Sequence, residues 1–354
     1  MKRAGNLYHK IYDLENLKTA HSHARKNKGW YSDIVEVEKD LDTHLLQLQN
    51  TLINKTYHTS EYEVFDKEEG NKVRQIYKLP YYPDRICQWA ILQVIEPYLM
   101  KKLISTTYSA IPGRGIHLGL STIRRVVHND KEGTRYCLKL DVKKYYPSIN
   151  HQILKNLMRT IFKDDDLLWI LDEIIDSTPG NKGIPIGNYM SQWFGNIYLS
   201  GFDHWIKETQ RCKYYYRYMD DIVILHSSKE RLHQLLEDIR VYFADTLDLE
   251  VKSNYQIFPV EKRGIDFLGY RIFPYYVLVR KSTVKRMKRK IKETHATIER
   301  TGRMSFNQWC AFASYKGWIL CADTHRLCRK YITPLEPEST KFYEEVIKNG
   351  SKVY

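Results

Sequence analysis

The chain has 354 residues, of which 43% are hydrophobic, so it can bury one sizeable core but not several large independent domains. Its mean hydropathy is -0.53, and no apolar run approaches the roughly 20 residues that a bilayer-spanning helix needs, which excludes a membrane protein. Lys and Arg number 56 against 42 Asp and Glu, and the resulting formal charge of +14 favours a polyanionic partner. No apolar segment follows the charged N-terminus, so we expect no secretory signal and a cytoplasmic location.

The first elements in chain order are helices followed by a basic hairpin. A mixed helical region is predicted up to about residue 55, because leucines recur there at helical spacing, at Leu41, Leu45, Leu48 and Leu52. Alternating apolar residues on both sides of a turn at residues 68–71 then predict a β-hairpin over residues 62–79. A helix is expected over residues 84–103. A glycine-rich connector at residues 112–115 precedes a further short helix that contains Arg124 and Arg125.

The middle of the chain places acidic residues at the ends of strands. Residues 136–142 alternate like a half-buried strand that carries Asp141 at its C-terminal end, and a helix with apolar residues at core spacing follows over 153–162. Residues 164–166 are three consecutive aspartates, which we interpret as a solvated connection between helices. Residues 183–199 are typical of a glycine turn leading into a helix. Two β-rich arms, 214–218 and 222–225, flank Met219-Asp220-Asp221 and predict a hairpin with two carboxylates at its tip.

The last part of the chain is helical and basic. Residues 227–230 match a capping box, Ser-Ser-Lys-Glu, which predicts the start of a helix with a clear apolar stripe. Beyond residue 275 basic residues surround a narrow apolar stripe, which indicates another helix. Six cysteines are scattered, and we interpret them as reduced core thiols. Zinc-capable residue types occur close together near the C-terminus but lack a CxxC pair, so we do not predict a zinc site at Cys310, Cys321, His325 and Cys328.

The carboxylates suit metal-assisted phosphoryl transfer. Transfer to a sugar hydroxyl uses two divalent ions about 3.5–4 Å apart, which oxygen ligands hold. Asp141 and the Asp220-Asp221 pair can supply these ligands if their strands are neighbours. An Asp-Asp pair is common in ordinary turns, but two exposed charges between β-branched and aromatic residues are costly without cations.

Tyr218-Met219-Asp220-Asp221 resembles the YxDD box of reverse transcriptases, and residues 140–146 resemble the first catalytic motif of that family. The resemblance extends over about residues 60–320. Residues 72–79 with Asp84-Arg85 resemble the fingers motifs of the family, and residues 109–115 resemble its template-contacting motif. Residues 249–254 resemble a motif that carries a lysine, and residues 267–270 resemble the primer grip. The resemblance implies an α+β right-hand polymerase fold. Its expected parts are an N-terminal helical extension (1–55), fingers and the start of the palm (56–135), the palm (136–275, with a fingers–palm helix near 186–209) and a basic helical thumb with a C-terminal tail (276–354).

The resemblance also assigns roles to single residues of this chain. It implies two Mg²⁺ ions, replaceable by Mn²⁺, that are bound by Asp141, Asp220, Asp221 and the carbonyl of Val142. Lys252 matches the lysine proposed as general acid for pyrophosphate, and Tyr146 matches the residue that rejects a 2′-hydroxyl and thereby favours deoxynucleotides. The expected nucleotide-binding residues are Arg74, Arg85, Tyr146, Ile186, Gly187 and Gln192. The expected primer–template contacts are Phe267, Leu268, Gly269, Tyr270, Lys285, Arg289 and Lys292.

Residues 186–192 point to a subgroup. Most relatives, including group II intron and retron enzymes, have the pattern QGxxxSP, whereas this chain has Ile186-Gly187 and Ser191-Gln192, which resembles the reverse transcriptases of diversity-generating retroelements. Those enzymes copy a template-repeat RNA into cDNA with errors at adenines and act with a basic accessory variability determinant protein. An isoleucine in place of glutamine removes a polar contact near the nucleotide sugar, which we expect to loosen nucleotide selection.

Two alternatives stay open. The chain can instead be a retron or group II intron-like reverse transcriptase of ordinary fidelity, which errors opposite template adenine would distinguish. It can also be a non-catalytic RNA-binding protein that kept the fold, although the intact Asp141, Asp220 and Asp221 argue against this.

Overall fold

The computed structural model describes residues 2–69 and 72–348. The chain forms two compact units: the first comprises residues 1–113, 140–222 and 234–255, and the second comprises residues 114–139, 223–233 and 256–354. Some boundaries between the two units fall inside a strand, and others fall between secondary-structure elements. The four-part division into extension, fingers, palm and thumb stays a prediction. In the described residues no helix is both long enough and apolar enough to cross a membrane.

The predicted N-terminal helical region is confirmed. It contains four helices, which are α1 (Tyr8–Ile11), α2 (Leu14–Arg25), α3 (Ser32–Glu38) and α4 (Leu41–Ile53). Asp13 starts α2 as its N-cap, because its carboxylate accepts hydrogen bonds from the backbone N–H groups of Glu15 and Asn16. Leu45, Leu48 and Leu52 of α4 are buried, as their spacing predicted.

The predicted basic hairpin is also present. Strands β1 (Glu63–Glu69) and β2 (Lys72–Lys78) pair antiparallel, with Glu63 opposite Lys78. The predicted turn at 68–71 includes Gly70 and Asn71, which lie outside the described residues. The helix expected over 84–103 is shorter, because residues 81–85 form a π-helical turn before α5 (Ile86–Met100) begins. The chain next forms α6 (Ile116–Asn129), β3 (Tyr136–Asp141), α7 (Tyr145–Ser148), α8 (His151–Ile161), α9 (Asp165–Ile175), α10 (Tyr189–Tyr198) and α11 (Ser200–His204).

The rest of the chain supplies six strands and six α-helices among the described residues, besides short π-helical and 3-10 segments. They are β4 (Tyr214–Tyr218), β5 (Asp221–His226), α12 (Lys229–Leu247), β6 (Gln256–Pro259), α13 (Val260–Arg263), β7 (Ile265–Phe267), β8 (Tyr270–Ile272), β9 (Val277–Val279), α14 (Lys281–Thr301), α15 (Phe306–Leu320), α16 (His325–Leu327) and α17 (Glu336–Phe342). Strands β3 to β6 form a four-stranded sheet in the order β4-β5-β3-β6, and β7, β8 and β9 form a three-stranded sheet in chain order. The predicted Asp-Asp hairpin is therefore confirmed as β4 and β5.

One local interpretation was incomplete and another was wrong. Asp164 lies in the partly exposed connection between α8 and α9, as expected, but it is also the N-cap of α9, and its carboxylate accepts hydrogen bonds from the backbone N–H groups of Leu7 and Tyr8. The capping box does not begin at Ser227, because α12 starts at Lys229 and the hydroxyl of Ser228 accepts the hydrogen bond from the Arg231 N–H. A short polar side chain caps a helix wherever its oxygen reaches an unpaired backbone N–H. The sequence therefore does not show which of the neighbouring residues Ser227 and Ser228 is the cap.

The turn between β7 and β8 requires glycine. Leu268 and Gly269 have φ values of +54° and +83°, and a Cβ on Gly269 would lie 2.3 Å from the Trp318 ring. That ring stacks on Tyr270 with centroids 5.0 Å apart, so the turn is packed directly against α15. Left-handed backbone and lack of space both exclude a larger residue here.

We expect Gly269→Ala to lower the free energy of unfolding by at least about 1–2 kcal/mol, because an L-residue is strained at positive φ and its methyl group would displace the Trp318 ring. Denaturant unfolding followed by tryptophan fluorescence measures this. Gly317→Ala is the matched control: Gly317 lies inside helix α15 with open space where a Cβ would be, so this change should raise stability by about 0.5–1 kcal/mol. Equal effects of the two substitutions would contradict the assigned role of the turn.

Candidate active site

A cavity of about 1380 Å³ in the first unit collects half of the site residues singled out in the sequence. Its lining includes every carboxylate of the proposed catalytic set together with basic, aromatic and aliphatic side chains. From the predicted set the lining residues are Arg74, Asp141, Val142, Tyr146, Ile186, Gln192, Asp220, Asp221 and Lys252. The fold therefore brings together groups that are far apart in the chain.

The two acidic positions meet because of the strand order. Strand β3 ends at Asp141, and the turn between β4 and β5 carries Asp220, while β5 lies next to β3 in the sheet. Met219 adopts left-handed backbone at φ +55°, which shapes this turn. Burial, a hydrogen bond with the Asp141 carboxyl and the charge of that group together raise the pKa of Asp220 to about 7.

Lys252 lies beside this carboxylate pair. Its Nζ is 3.3 Å from Oδ2 of Asp141, and its backbone N–H donates to the Asp141 carbonyl at 2.9 Å. The neighbouring residues Val142 and Val251 form an antiparallel bridge. The bridge holds the lysine in register with the acid, so an ammonium group faces the site at which the two carboxylates meet.

The carboxylates fit a divalent cation by their chemistry. In the described parts of the chain no ready cluster of three or more His, Cys, Asp or Glu side chains forms a metal site. Two acidic oxygen donors are nevertheless crowded together in a partly dehydrated cavity, and their repulsion is relieved by a proton or by a cation. Mg²⁺ is typically held by one or two carboxylates with substrate phosphates and water, so Asp141, Asp220 and Asp221 are sufficient donors. The metal role of the Val142 carbonyl stays a prediction.

Tyr146 and Arg74 occupy the same cavity. Burial and the nearby Asp220 raise the pKa of Tyr146, whereas the charge of Arg74 acts in the opposite direction, so all three groups are close enough to interact. The preceding residue, Tyr145, is buried and its hydroxyl donates to the Gly195 carbonyl at 2.5 Å. This bond fixes the backbone that carries Tyr146 against helix α10.

The segment before α10 contacts the hairpin through backbone atoms. The Tyr77 N–H donates to the Ile186 carbonyl at 2.9 Å. Gly187 follows at φ +128°, and a Cβ there would lie 2.7 Å from the Tyr77 carbonyl oxygen. Ile186 and Gln192 line the cavity, while Gly187 is not among the described lining residues but permits the close approach of the two segments. Tyr77 was not recognised as a site residue from the sequence, because its contact with Ile186 is made by the backbone and does not depend on the type of side chain.

Other predicted site residues lie elsewhere. Arg85 is exposed and is not among the described residues that line the cavity; its charge acts on Lys28 and Tyr81 instead. The predicted primer–template residues belong to the second unit. There Phe267, Leu268 and Tyr270 are buried, and Lys285, Arg289 and Lys292 are exposed along α14. The roles assigned to Arg85 and to these residues stay predictions.

The cysteines differ from the sequence interpretation. Cys87, Cys137 and Cys212 are buried as expected, but Cys310 is exposed and Cys321 and Cys328 are partly exposed. Treating all six as core thiols was therefore wrong, because an apolar neighbourhood in sequence does not decide which helix face a residue occupies. Cys321 lies 3.5 Å from Nδ1 of His117.

We expect Mg²⁺ to stabilise the protein more at about pH 8 than at about pH 6, because a cation competes with a proton at Asp220. Without a cation the folded chain keeps this proton up to about pH 7, while the unfolded chain releases it near pH 4, so stability falls as pH rises across that window. Thermal unfolding midpoints with and without millimolar Mg²⁺ measure the effect.

Asp220→Asn should remove the pH dependence of the Mg²⁺ effect, since the amide neither titrates in this range nor repels Asp141. Asp245→Asn is the control, because Asp245 is an exposed carboxylate on α12 outside the cavity. An equal gain in midpoint at both pH values in the unmodified protein would contradict the cation assignment.

The fold is similar to that of a solved telomerase. The telomerase of Candida albicans, solved in complex with a TWJ fragment of telomeric RNA, matches 85% of this chain and 61% of that chain at a TM-score of 0.52 and 11% sequence identity. This likeness concerns the fold alone. Together with the mixed helices and antiparallel sheets, it confirms the predicted α+β right-hand fold class.

Sequence relatives point the same way. Protein YkfC of Escherichia coli (strain K12) is 22% identical over 250 residues, which cover 59% of this chain and 65% of YkfC. The group II intron-encoded protein LtrA of Lactococcus lactis is 20% identical over 299 residues, which cover 64% of this chain and 48% of LtrA. The chain thus spans less than two thirds of the length of either relative. Residues 66–272, more than half of the chain, match the family "Reverse transcriptase (RNA-dependent DNA polymerase)". The chain therefore belongs to the reverse transcriptase family.

Proposed function

We propose that this chain is an RNA-directed DNA polymerase whose chemistry takes place in the cavity of the first unit. The observation that carries this proposal is the meeting of Asp141, Asp220 and Lys252 in one cavity, with an acidic pair close enough to raise the pKa of Asp220 to about 7. A carboxylate pair beside an ammonium group suits a reaction in which negative charge develops on transferring phosphate.

Each cavity residue has a task in this proposal. Asp141, Asp220 and Asp221 would hold two Mg²⁺ ions, which activate the sugar hydroxyl and neutralise the leaving pyrophosphate when bound. Lys252, whose Nζ lies 3.3 Å from Oδ2 of Asp141, is placed to donate a proton to the leaving pyrophosphate. Arg74 binds triphosphate oxygens, and Tyr146 excludes a 2′-hydroxyl by its ring. Substrates are deoxynucleoside triphosphates on an RNA template.

Replacing Asp220 and Asp221 together by Ala should abolish incorporation of deoxynucleotides on a primed RNA template while leaving RNA binding within about twofold, because the carboxylates bind cations rather than RNA. Primer extension measures the first effect and filter binding the second. Asp164→Asn, which alters a helix cap outside the cavity, is the control for nonspecific damage to the fold. Full activity in the double variant would refute the polymerase assignment.

We further propose that the polymerase serves a diversity-generating retroelement, copying a template-repeat RNA into cDNA with errors at adenines. The support is Ile186, which lines the cavity where most relatives have glutamine, and the Ser191-Gln192 ending of the same motif. The carbonyl of Ile186 accepts a hydrogen bond from the Tyr77 N–H, which fixes the backbone at this position of the cavity lining. In this proposal a basic accessory variability determinant protein acts with the enzyme, and the second unit grips the primer–template duplex.

A second candidate is a group II intron-like reverse transcriptase of ordinary fidelity. It is favoured by the likeness to LtrA, which extends over 64% of this chain. The two candidates share chemistry and differ only in base selection. Error rates opposite each template base therefore discriminate between them.

The fidelity proposal predicts high misincorporation opposite template adenine and fewer errors opposite the other bases. Ile186→Gln or Ile186→Asn should reduce the adenine errors several-fold, because one hydrogen bond is worth about 0.5–1.5 kcal/mol net. Ile186→Leu is the matched control, since it keeps an apolar side chain of the same size and should keep the errors. Sequencing of cDNA made on a defined RNA measures all three variants. Unmodified protein that copies adenine as faithfully as guanine would favour the second candidate.

A further inference from the structure

A fully buried ion pair lies beneath the catalytic turn. Arg217 on β4 and Asp203 on α11 both have 0% of their surface exposed. The guanidinium contacts the carboxylate through two atoms: Nε donates to Oδ1 at 2.7 Å and Nη2 donates to Oδ2 at 2.5 Å. Asp203 also accepts hydrogen bonds from the hydroxyls of Tyr215 and Thr107. The charges are thus compensated inside the first unit, as a buried pair requires.

Arg217 uses its remaining donors on the turn and on helix α10. Its Nη1 donates to the Met219 carbonyl at 3.0 Å and to Oδ1 of Asn196 at 3.3 Å, and its Nη2 donates to the Asn196 carbonyl at 3.2 Å. The Met219 carbonyl belongs to the peptide group that enters Asp220. One planar guanidinium therefore ties the peptide before the catalytic acid to α10 and to α11.

The backbone conformation of the turn at Met219 requires stabilisation by surrounding residues. Met219 has φ +55°, a conformation that is unfavourable for a residue with a side chain, so it persists only where its surroundings impose it. Its sulfur packs near Gly195, where a Cβ would lie 3.2 Å away. The backbone of Arg217 is itself held by residues 106–108, since its N–H donates to the Thr106 carbonyl and its carbonyl accepts from the Tyr108 N–H, each at 3.0 Å.

An arginine costs more to bury than an apolar residue, and buried pairs are often replaceable by hydrophobic side chains without loss of stability. Stability alone therefore does not account for Arg217. Its donors converge on the one peptide whose orientation sets the Asp220 carboxylate beside Asp141.

We propose that Arg217, with Asp203 behind it, is a positioning residue for the proposed polymerase reaction, holding the Met219–Asp220 peptide against α10 so that Asp220 and Asp141 share a cation. The inference rests on the proposed function, but it also concerns cation binding, which is measurable without polymerisation. Arg217 touches neither the substrate nor the ions in this assignment.

The test uses two variants of the full chain. Arg217→Lys keeps the charge beside Asp203, but an ammonium lacks the planar fork that reaches Met219 and Asn196 together. The double change Asp203→Asn with Arg217→Met removes both charges, so neither is left buried and unpaired. Arg159→Lys is the matched control, because Arg159 pairs with Asp172 through two atoms, at 3.1 Å and 2.5 Å, in the same unit but outside the cavity.

We expect both Arg217 variants to fold, as judged by circular dichroism and cooperative melting, and to lose about 10–100-fold in kcat or in affinity for Mn²⁺, the range typical of residues that orient metal ligands. Mn²⁺ affinity is read from electron paramagnetic resonance of the free ion, with no nucleotide present. The KM for deoxynucleotides should change by less than about threefold, because ground-state binding of substrate is untouched. Arg159→Lys should leave kcat and Mn²⁺ affinity unchanged.

Folded Arg217 variants that keep both kcat and Mn²⁺ affinity within about twofold of the unmodified protein would overturn the proposal. Failure of both variants to fold would also count against it, because the pair would then serve the fold rather than the turn. If the unmodified protein binds Mn²⁺ but does not polymerise, weaker binding in the variants still supports the positioning role, and only the proposed function falls. Unmodified protein that neither polymerises nor binds Mn²⁺ would refute both.

Discussion

The repulsion between the Asp141 and Asp220 carboxylates is the constraint on which the candidate active site depends. The sheet order places the end of β3 beside the β4–β5 turn, so the two acids cannot avoid each other, and burial with this proximity raises the pKa of Asp220 to about 7. A fold that crowds acids in this way is destabilised at neutral pH unless a positive charge is supplied. Lys252, 3.3 Å from Asp141, supplies part of it, and a divalent cation would supply the rest.

The surrounding structure holds this unfavourable arrangement in place. Met219 adopts a left-handed backbone, and the buried Arg217 bonds its carbonyl while also bonding Asn196 of α10. Tyr145 bonds the same helix through the Gly195 carbonyl. Helix α10 is thus a common support for both acidic strand ends. Ile186 lies just before this helix, and its carbonyl is bonded to Tyr77 of the hairpin, so the segment proposed to select nucleotides and the turn that carries Asp220 both adjoin α10.

From the sequence, only those site residues could be recognised whose type is unusual in its local setting. Acids at strand ends, a glycine before a helix and a tyrosine after Asp141 stand out in sequence because each is unusual in its local setting. Tyr77 acts through its backbone, and Asp203 looks like an ordinary helix residue, so neither stood out. Arg217 carried a weak indication, since a charge inside the apolar run of β4 must be either exposed or paired.

The sequence alone determined the periodic elements, the α+β class, the Asp-Asp hairpin and the reverse transcriptase family, because these depend on local patterns and on motif order. Helix ends were less certain: the Asp164 and Ser228 caps depend on which backbone N–H groups the folded chain leaves within reach. Only the tertiary structure decided that Arg85 lies outside the cavity, that Cys310 is exposed and that Arg217 is buried against Asp203. These outcomes depend on residues distant in the chain, and a local pattern carries no information about which distant surface will cover a side chain.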